Sequence, residues 1–174
     1  LKLTMDDDFD AFYALHAQTH ERKHAPLYLP HAAFKRFIET LRGGNLCRLY
    51  HARLPGGRAV ATQLVLTGPH PVTHTVCAAA DAEFLNLGAS AFLRWKVFEN
   101  LASDGYQAND LTDAALNPVT HFKNQLGGDL HLCLQISRPD RFAWRLGEFA
   151  TSLPARAKRL ASRVARPAAS TDSP

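Results

Sequence analysis

The sequence predicts a mixed α/β (α+β) fold in which helices cover a central sheet. Apolar residues recur at helical spacing in some segments and at strand spacing in others, and the two kinds of segment are mixed along the chain. Between residues 46 and 80, three strand patterns follow one another and are separated by turns rich in Gly and Pro. Helices and strands in this order bury their apolar faces by packing against one another.

Two helices are predicted to open the chain. Thr4 is a candidate cap for the first, because three acids follow it and Pro26 ends the pattern. Its apolar and aromatic face would consist of Phe9, Phe12, Tyr13, His16 and His20. The second helix is predicted over residues 32–41, before the glycine pair at 43–44.

Strands are predicted over residues 46–52, 58–67 and 72–80. A Pro-Gly-Gly turn joins the first two, and the Gly-Pro-His-Pro segment at 68–71 joins the second and third. A short strand over 107–112 and a last strand over 130–137 are predicted later in the chain, followed by a helix over 138–153.

The stretch of residues 81–130 is the centre of this organisation. The turn Gly88-Ala89-Ser90 opens a long amphipathic helix, and a second, shorter helix opens at Asn117-Pro118 and stops at Gly127-Gly128. Backbone amides in the first turn of a helix have no intrahelical acceptors, so the turn at Gly88 could bind an anion. The order of elements around this turn is one that an acyl-carrier or phosphate-containing ligand could use.

Composition places the chain among soluble globular proteins. Its 174 residues suffice for one domain with a tail, and no apolar run approaches the ~18 residues that cross a bilayer. Because the chain begins at Leu1, we expect it to be part of a longer protein. The odd set Cys47, Cys77 and Cys133 lies in strand-like surroundings, which favours buried reduced thiols and a cytoplasmic location.

Charge is concentrated at the C-terminal end. The chain has 20 basic and 16 acidic residues, and from Pro154 onward there are five basic residues and one acid, which leaves residues 1–153 neutral. A neutral body argues against a nucleic-acid-binding face spread over the fold. The basic segment at 154–174 could contact an anionic inner-membrane surface, or it could be a solvated helix that leads into a disordered linker.

A family resemblance is carried by residues 87–128. Asp110-Leu111-Thr112 is followed by Phe122-Lys123 and by Leu126-Gly127-Gly128, and the turn at Gly88 leads into a helix containing Trp95. These motifs resemble the GNAT acyltransferase fold of the FemAB-like and CelD/BcsL-like branch, over about residues 6–137. The resemblance implies a mainly antiparallel sheet flanked by helices, and residues 1–137 as a single GNAT-like domain.

Two positions depart from ordinary acetyl-CoA-dependent members. Leu85 stands where the family has Arg or Gln before the pyrophosphate turn, and Asn124 stands where a tyrosine often protonates the departing thiolate. The departures suit FemAB-like proteins, which resemble GNAT domains but take an aminoacyl group from tRNA. The donor is therefore open between acetyl-CoA or another acyl-CoA and aminoacyl-tRNA. The chain would be the C-terminal one of two such domains.

The resemblance also implies roles for individual residues. Gly88, Ala89, Ser90 and Asn117 would bind the donor, and Phe122 and His74 would contact the substrate. Lys123 would stabilise the oxyanion of the tetrahedral intermediate, and Asp110 would accept the proton of the attacking amine. The alternatives are a plain turn with Ser90 as cap, a solvated lysine and an aspartate that orients a loop. Further candidate bases are Asp113, His70, His74 and His121.

Residues 20–24 match the zinc-protease pattern HExxH, with His16 one turn earlier. The pentapeptide is polar, lies two residues before Pro26 and has no clear third ligand. We therefore expect no functional metal site here.

The function predicted is acyl transfer to an amine or hydroxyl of an acceptor in bacterial cell-envelope or polysaccharide synthesis. A second hypothesis is a non-catalytic binding or assembly module, partnered by a second GNAT-like domain or by a copy of itself. A metallopeptidase is the third. The three hypotheses differ in whether the protein binds an acyl donor and in whether its activity depends on Lys123.

Overall fold

The computed structural model describes residues 1–112 and 118–131, and residues Leu1–Leu130 belong to one compact unit. A short 3-10 helix (Ala82–Leu87) separates the fourth strand from the third helix. The other elements are, in order, β1 (Lys2–Met5), α1 (Phe9–Arg22), α2 (His31–Gly43), β2 (Cys47–Arg53), β3 (Ala59–Leu66), β4 (Val72–Ala80), α3 (Ala89–Ser103), β5 (Ala108–Asp110) and α4 (Pro118–Gln125).

The five strands form one sheet in the order β1-β2-β3-β4-β5. The first four strands are antiparallel neighbours, whereas β5 pairs with β4 in parallel. Parallel neighbours cannot be joined by a tight turn, so α3 serves as the crossover between them. The predicted mixed fold, with a mostly antiparallel sheet flanked by helices, is confirmed.

The two faces of the sheet bury different helices. Leu49 and Tyr50 are consecutive on β2 and therefore point to opposite faces. Leu49 belongs to the cluster that contains Phe12 of α1 and Ile38 of α2. Tyr50 belongs to the cluster with the α3 residues Leu93, Val97 and Leu101. The sheet is thus a middle layer, with α1 and α2 on one side and α3 on the other.

The predicted helix start at Thr4 is wrong. Residues 2–5 form an edge strand in register with β2, with Lys2 opposite Arg53 and Met5 opposite Tyr50. The helix begins at Phe9 instead, where Asp8 is the cap and its carboxylate accepts the Ala11 amide at 3.0 Å. The strand forms because β2 offers it a free edge. A four-residue segment carries no local sequence signal for such a distant pairing partner.

Most other boundaries agree with the predictions to within one or two residues, but β5 is shorter than the predicted strand over 107–112. Leu130 and His131 are not in a strand, and the rest of the last predicted strand lies outside the described residues. The predicted helix over 138–153, the tail and Cys133 also lie outside them, so the domain division remains a prediction. Of the helices that the structure describes, none is long and apolar enough to span a membrane.

Arg53 fastens the start of the chain to the sheet. Its guanidinium donates to Thr4 Oγ1 at 3.0 Å, to Asp6 Oδ2 at 3.1 Å and to Asp8 Oδ2 at 2.8 Å. The hydrogen bond from Arg53 lowers the pKa of Asp8. Since the pKa is lower in the folded chain than in the unfolded one, the pair stabilises the fold above pH ~4. That contribution is lost as pH falls through the lowered pKa.

Replacing Arg53 by Met is therefore expected to reduce the free energy of unfolding at pH 7 by about 1–2 kcal/mol, because charged hydrogen bonds that are partly exposed are lost. Urea unfolding at pH 7 and at about pH 3 measures the effect, which should shrink at the lower pH. Lys96→Met, which removes an exposed pair with Glu99, is the control and should change little. An equal loss at both pH values would contradict the ionic explanation.

Candidate active site

The strands β4 and β5 run side by side for only three residues. Val72, Thr73 and His74 pair with Ala108, Asn109 and Asp110, and the ladder ends there although β4 continues to Ala80. In the described part of the chain, no strand flanks β4 on this side beyond that point. Alternate backbone groups of an unpaired strand edge are available to another chain or to a ligand. The sheet therefore opens into a gap along the second half of β4.

A β-bulge lies close to the point where the two strands part. Leu64 of β3 is opposite Cys77 and Val65 is opposite Thr75, so Val76 is the extra residue. A bulge bends its strand, leaves a residue unpaired in the ladder and is common next to active sites. The bend redirects the second half of β4 at the apex of the gap.

The far end of the gap meets the beginning of α3. Gly88 precedes the helix in the left-handed conformation, with φ 65°, and no side chain caps the helix. The first intrahelical bond runs from the Phe92 amide to the Gly88 carbonyl at 2.9 Å, so the amides of residues 89–91 come before it. Ala89 packs in the same buried cluster as Ala80 at the end of β4. Because only residues 81–88 separate Ala80 from Ala89, α3 begins near the end of β4 at which the gap opens.

Three of the predicted residues meet at the apex. His74 Nδ1 lies 3.0 Å from Asp110 Oδ2, and the other carboxylate oxygen accepts the Thr112 amide at 2.7 Å. Lys123 Nζ donates to the Thr112 carbonyl. The Thr112 hydroxyl donates to the Thr75 carbonyl at 3.3 Å, which ties this group to β4. The structure thus joins His74, Asp110 and Lys123 through Thr112, a residue that the sequence analysis did not single out as functional.

The pair of His74 and Asp110 is suited to proton transfer. Their side chains are 49% and 47% exposed, so a substrate can reach them. A hydrogen bond from Nδ1–H to a carboxylate selects the neutral tautomer whose Nε2 accepts a proton. The ammonium group of Lys123, on the neighbouring helix α4, supplies a positive charge beside the same loop.

A row of polar side chains, buried on β3 and β4 and half-buried on β5, holds β5 against β4. Gln63 donates to Thr75 Oγ1 at 2.8 Å, Thr75 donates to Asn109 Oδ1 at 2.8 Å, and Asn109 donates to Thr73 Oγ1 at 2.6 Å. The row crosses β3, β4 and β5 and therefore fixes the place where the ladder ends. Sequence reasoning missed it, since isolated polar residues in strand patterns carry no signal that they will bond to one another.

The remaining predicted residues are scattered. Phe122 is half-buried on α4 next to Lys123, and His121 is exposed on the same helix. His70 lies in the turn before β4, where its Nδ1 accepts the Val72 amide at 3.1 Å. Asn117 and Asp113 lie outside the described residues.

The two histidines of the HExxH pattern do not share a helix face. Helix α1 ends at Arg22, and His24 lies beyond it with a positive φ of 51°. His20 Nδ1 lies 2.8 Å from the Pro26 carbonyl. His16 stacks on Phe12 inside the fold, where burial lowers its pKa to about 4. Across residues 1–112 and 118–131, no three His, Cys, Asp or Glu side chains are grouped to hold a metal ion.

Two clefts lie outside this gap. One of about 290 Å³ is bordered by Phe98 of α3, Ala108 and Asn109 of β5, and Leu126 after α4. A larger one of about 700 Å³ opens beside Asp6, Glu39 and Arg48, and none of the predicted site residues lines it. The predicted site residues His74, Asp110 and Lys123 therefore lie at the gap between β4 and β5 and not in the larger of these two clefts.

Residues 2–124 match the family described as "Acetyltransferase (GNAT) domain". A solved structure of a probable acetyltransferase is similar with a TM-score of 0.63 and 12% identity, over 79% of this chain and 99% of that one. The structure of a Trypanosoma brucei acetyltransferase is similar with a TM-score of 0.58 and 18% identity, over 79% of this chain and 98% of that one. The structure of a ribosomal-protein-alanine N-acetyltransferase from Brucella melitensis biovar Abortus 2308 has a TM-score of 0.60 and 12% identity, over 79% of this chain and 99% of that one. At these identities the similarity concerns the fold. Among curated protein sequences, none matches significantly.

Proposed function

This chain belongs to the GNAT acetyltransferase domain family, and from that premise we propose that it transfers an acyl group from acyl-coenzyme A to an amine bound beside His74 and Asp110. The observation that carries the proposal is the gap between β4 and β5, which has the exposed His–Asp pair at its apex and the amides of α3 at its open end. A donor with a phosphate at one end and a thioester at the other spans these two features.

The donor is proposed to lie along the open edge of β4. The amides of residues 89–91 would bind its phosphates, as the positive end of a helix favours anions. Amide groups of the pantetheine arm would pair with alternate backbone groups of β4, as an added strand would. The thioester would then lie near Val76, where the bulge redirects the strand, and within reach of His74.

At the apex, His74 Nε2 would accept a proton from the acceptor's ammonium group while Asp110 holds the imidazole in the required tautomer. The amine nitrogen then forms a bond to the thioester carbon, and the carbonyl electron pair moves onto oxygen. Lys123 would stabilise that negative charge. When the carbonyl re-forms, the carbon–sulfur bond breaks and the thiolate leaves. The attacking nitrogen releases its second proton to water, which gives the neutral amide, and His74 returns the first proton to the thiolate.

The finer features remain predictions. They include membership of the FemAB-like branch, a cell-envelope acceptor, an aminoacyl-tRNA donor, and pairing with a second such domain or with another copy of the chain. Acyl-coenzyme A is preferred as the donor because the α3 amides and the β4 edge offer partners for both its phosphates and its amides. The alternative of a non-catalytic assembly module is not favoured, because no described feature of the site speaks for it.

Acetyl-CoA is expected to raise the melting temperature of the 174-residue chain. A ligand at 100 times its dissociation constant adds about 2.7 kcal/mol of stability, which corresponds to several degrees at about 2–4 °C per kcal/mol. Thermal unfolding with acetyl-CoA, desulfo-CoA and ATP measures the shift. Equal shifts with ATP would indicate a nucleotide site without a donor arm. No shift with either coenzyme would count against the proposed donor.

A further inference from the structure

Thr75 of β4 is a buried residue that contacts the chain on three sides. Its hydroxyl oxygen accepts Gln63 Nε2 at 2.8 Å and donates to Asn109 Oδ1 at 2.8 Å. Its backbone carbonyl accepts the Thr112 hydroxyl at 3.3 Å. Thr75 is therefore bonded to β5 through Asn109 and to the loop after β5 through Thr112.

Asp110 lies between these two contacts. It is one residue after Asn109 and two residues before Thr112, so Thr75 is bonded to the chain on both sides of it. One Asp110 oxygen accepts the Thr112 amide at 2.7 Å, and the other lies 3.0 Å from His74 Nδ1. The position of the carboxylate beside His74 therefore depends on two chain positions that Thr75 holds.

The register of β5 is not set by hydrophobic burial. The strand reads Ala-Asn-Asp, and its first and last residues are exposed. Strands without a buried apolar face have weakly specified registers, and a slip by one residue turns every side chain to the other face of the sheet. Such a slip would separate Asp110 from His74. The bonds from Asn109 to Thr73 and from Thr75 to Asn109 supply the specification that burial does not.

The backbone of Thr112 is strained. Its φ is 54°, in the left-handed region that a β-branched residue rarely adopts. Strain of this kind persists where surrounding contacts hold the residue, and it is concentrated at functional sites. The contacts here are the Thr112 amide to Asp110 and the Thr112 hydroxyl to the Thr75 carbonyl. This observation is independent of the bonds through Asn109, and it concerns the other side of Asp110.

We propose that Thr75 is a positioning residue for acyl transfer, which holds Asp110 in register with His74 and so keeps the imidazole in the tautomer that accepts a proton. Gln63 acts through Thr75, because its amide donates to the hydroxyl oxygen and leaves the single hydroxyl proton for Asn109. The inference rests on the proposed function for the role of His74. The pairing of Asp110 with His74 is measurable without a substrate.

The test combines nitrogen-15 NMR of the His74 imidazole with steady-state kinetics of acyl transfer from acetyl-CoA to an amine, both on the full chain. Above the titration of the imidazole, the two nitrogen shifts show which ring nitrogen carries the proton. A hydrogen bond from Nδ1–H to Asp110 selects one tautomer, whereas an imidazole without a partner in water favours the proton on Nε2. The signals of His74 are assigned by their loss in His74→Ala.

Thr75→Val keeps the shape of the side chain and removes the hydroxyl. It is expected to lower kcat by about 10- to 100-fold, as a small misplacement of the base does, and to change the KM for acetyl-CoA by less than about twofold. The proton of His74 should move from Nδ1 toward Nε2. Thr75→Ser retains the hydroxyl and should restore kcat to within about threefold of the wild type.

Thr62→Val is the matched control. Thr62 is a fully buried threonine on the neighbouring strand β3, and its hydroxyl donates to the Tyr50 carbonyl at 3.2 Å. Because Thr62 and Gln63 are consecutive, their side chains point to opposite faces of the sheet. Thr62→Val should therefore leave both kcat and the His74 tautomer at their wild-type values.

Thr112→Gly tests the same inference at an exposed residue, in case Thr75→Val does not fold. Glycine adopts a left-handed φ without strain, which offsets the added freedom of the unfolded chain, so the variant should melt within about 3 °C of the wild type. It loses the contact with the Thr75 carbonyl. Its kcat should fall and its His74 tautomer should shift in the same direction as in Thr75→Val.

A His74 tautomer that stays unchanged in Thr75→Val and in Thr112→Gly would overturn the inference, even if kcat fell, because the residues would then act through general stability. A wild-type chain with the His74 proton on Nε2 would overturn it as well, since the pair with Asp110 would not exist in solution. If the tautomer shifts as expected but the wild type releases no thiol from acetyl-CoA with any amine, the positioning role stands and the proposed function fails.

Discussion

Replacing His74 by Ala is expected to lower kcat for acyl transfer by about 100- to 10,000-fold, the usual contribution of a positioned general base. His74 is half-exposed at the edge of the sheet, so its removal should leave the fold intact. Asp110→Asn should also lower kcat, because an amide does not hold the imidazole in one tautomer as the carboxylate does. Release of free thiol from acetyl-CoA in the presence of an amine acceptor measures both variants.

A matched control for this experiment exists elsewhere in the chain. His31 on α2 forms a comparable exposed pair with Asp10, with 3.4 Å between His31 Nε2 and Asp10 Oδ1. His31→Ala removes a histidine and its contact with a carboxylate, as His74→Ala does, but at residues that lie far along the sequence from the gap. The activity of His31→Ala should stay within about twofold of the wild-type activity. If His74→Ala retained the wild-type rate as well, the base would have to be another group.

Replacing Phe12 by Ala is expected to reduce the free energy of unfolding by about 3–5 kcal/mol. Phe12 is fully buried between α1 and the sheet, with its ring stacked on His16 and 5.3 Å from the ring of Phe34. Truncation would leave a cavity in the layer that holds α1 against β3 and β4. Urea unfolding at pH 7 measures the loss.

Phe37 on α2 provides the control for Phe12. It is 42% exposed, so truncation to Ala removes the same atoms mostly from solvent and should cost less than about 1 kcal/mol. If the two variants lost similar amounts of unfolding free energy, burial of Phe12 would contribute no more to stability than the exposed position of Phe37. A large loss for Phe12 alone would confirm the core assigned to α1.

Two elements that border the site follow from local sequence patterns alone. The strand over residues 72–80 was placed at its observed bounds, and the helix after Gly88 begins where the turn predicted it. Both depend on local signals: alternation between turn residues for the strand, and small residues before an apolar helical stripe for the helix. These local patterns predict the observed elements because each helix or strand packs with the apolar face that its own sequence periodicity creates.

The candidate active site could be predicted only in part from the sequence. His74 and Asp110 were each selected as a candidate base on separate grounds, and nothing in the sequence relates them across 36 positions. The parallel register of β4 and β5 brings them together. The same register, fixed by Gln63, Thr75 and Asn109, determines where the strands part.

By itself, the sequence determined the order of the helices and strands from α1 to α4, most of their bounds and the resemblance to the GNAT family. The tertiary structure decided that residues 2–5 are a strand, that His74 pairs with Asp110, and that Arg94 is buried. The physical reason is the range of the interactions. Periodicity and turn chemistry act between near neighbours, whereas strand pairing, burial of a charge and the end of a ladder depend on residues that meet only in the folded chain.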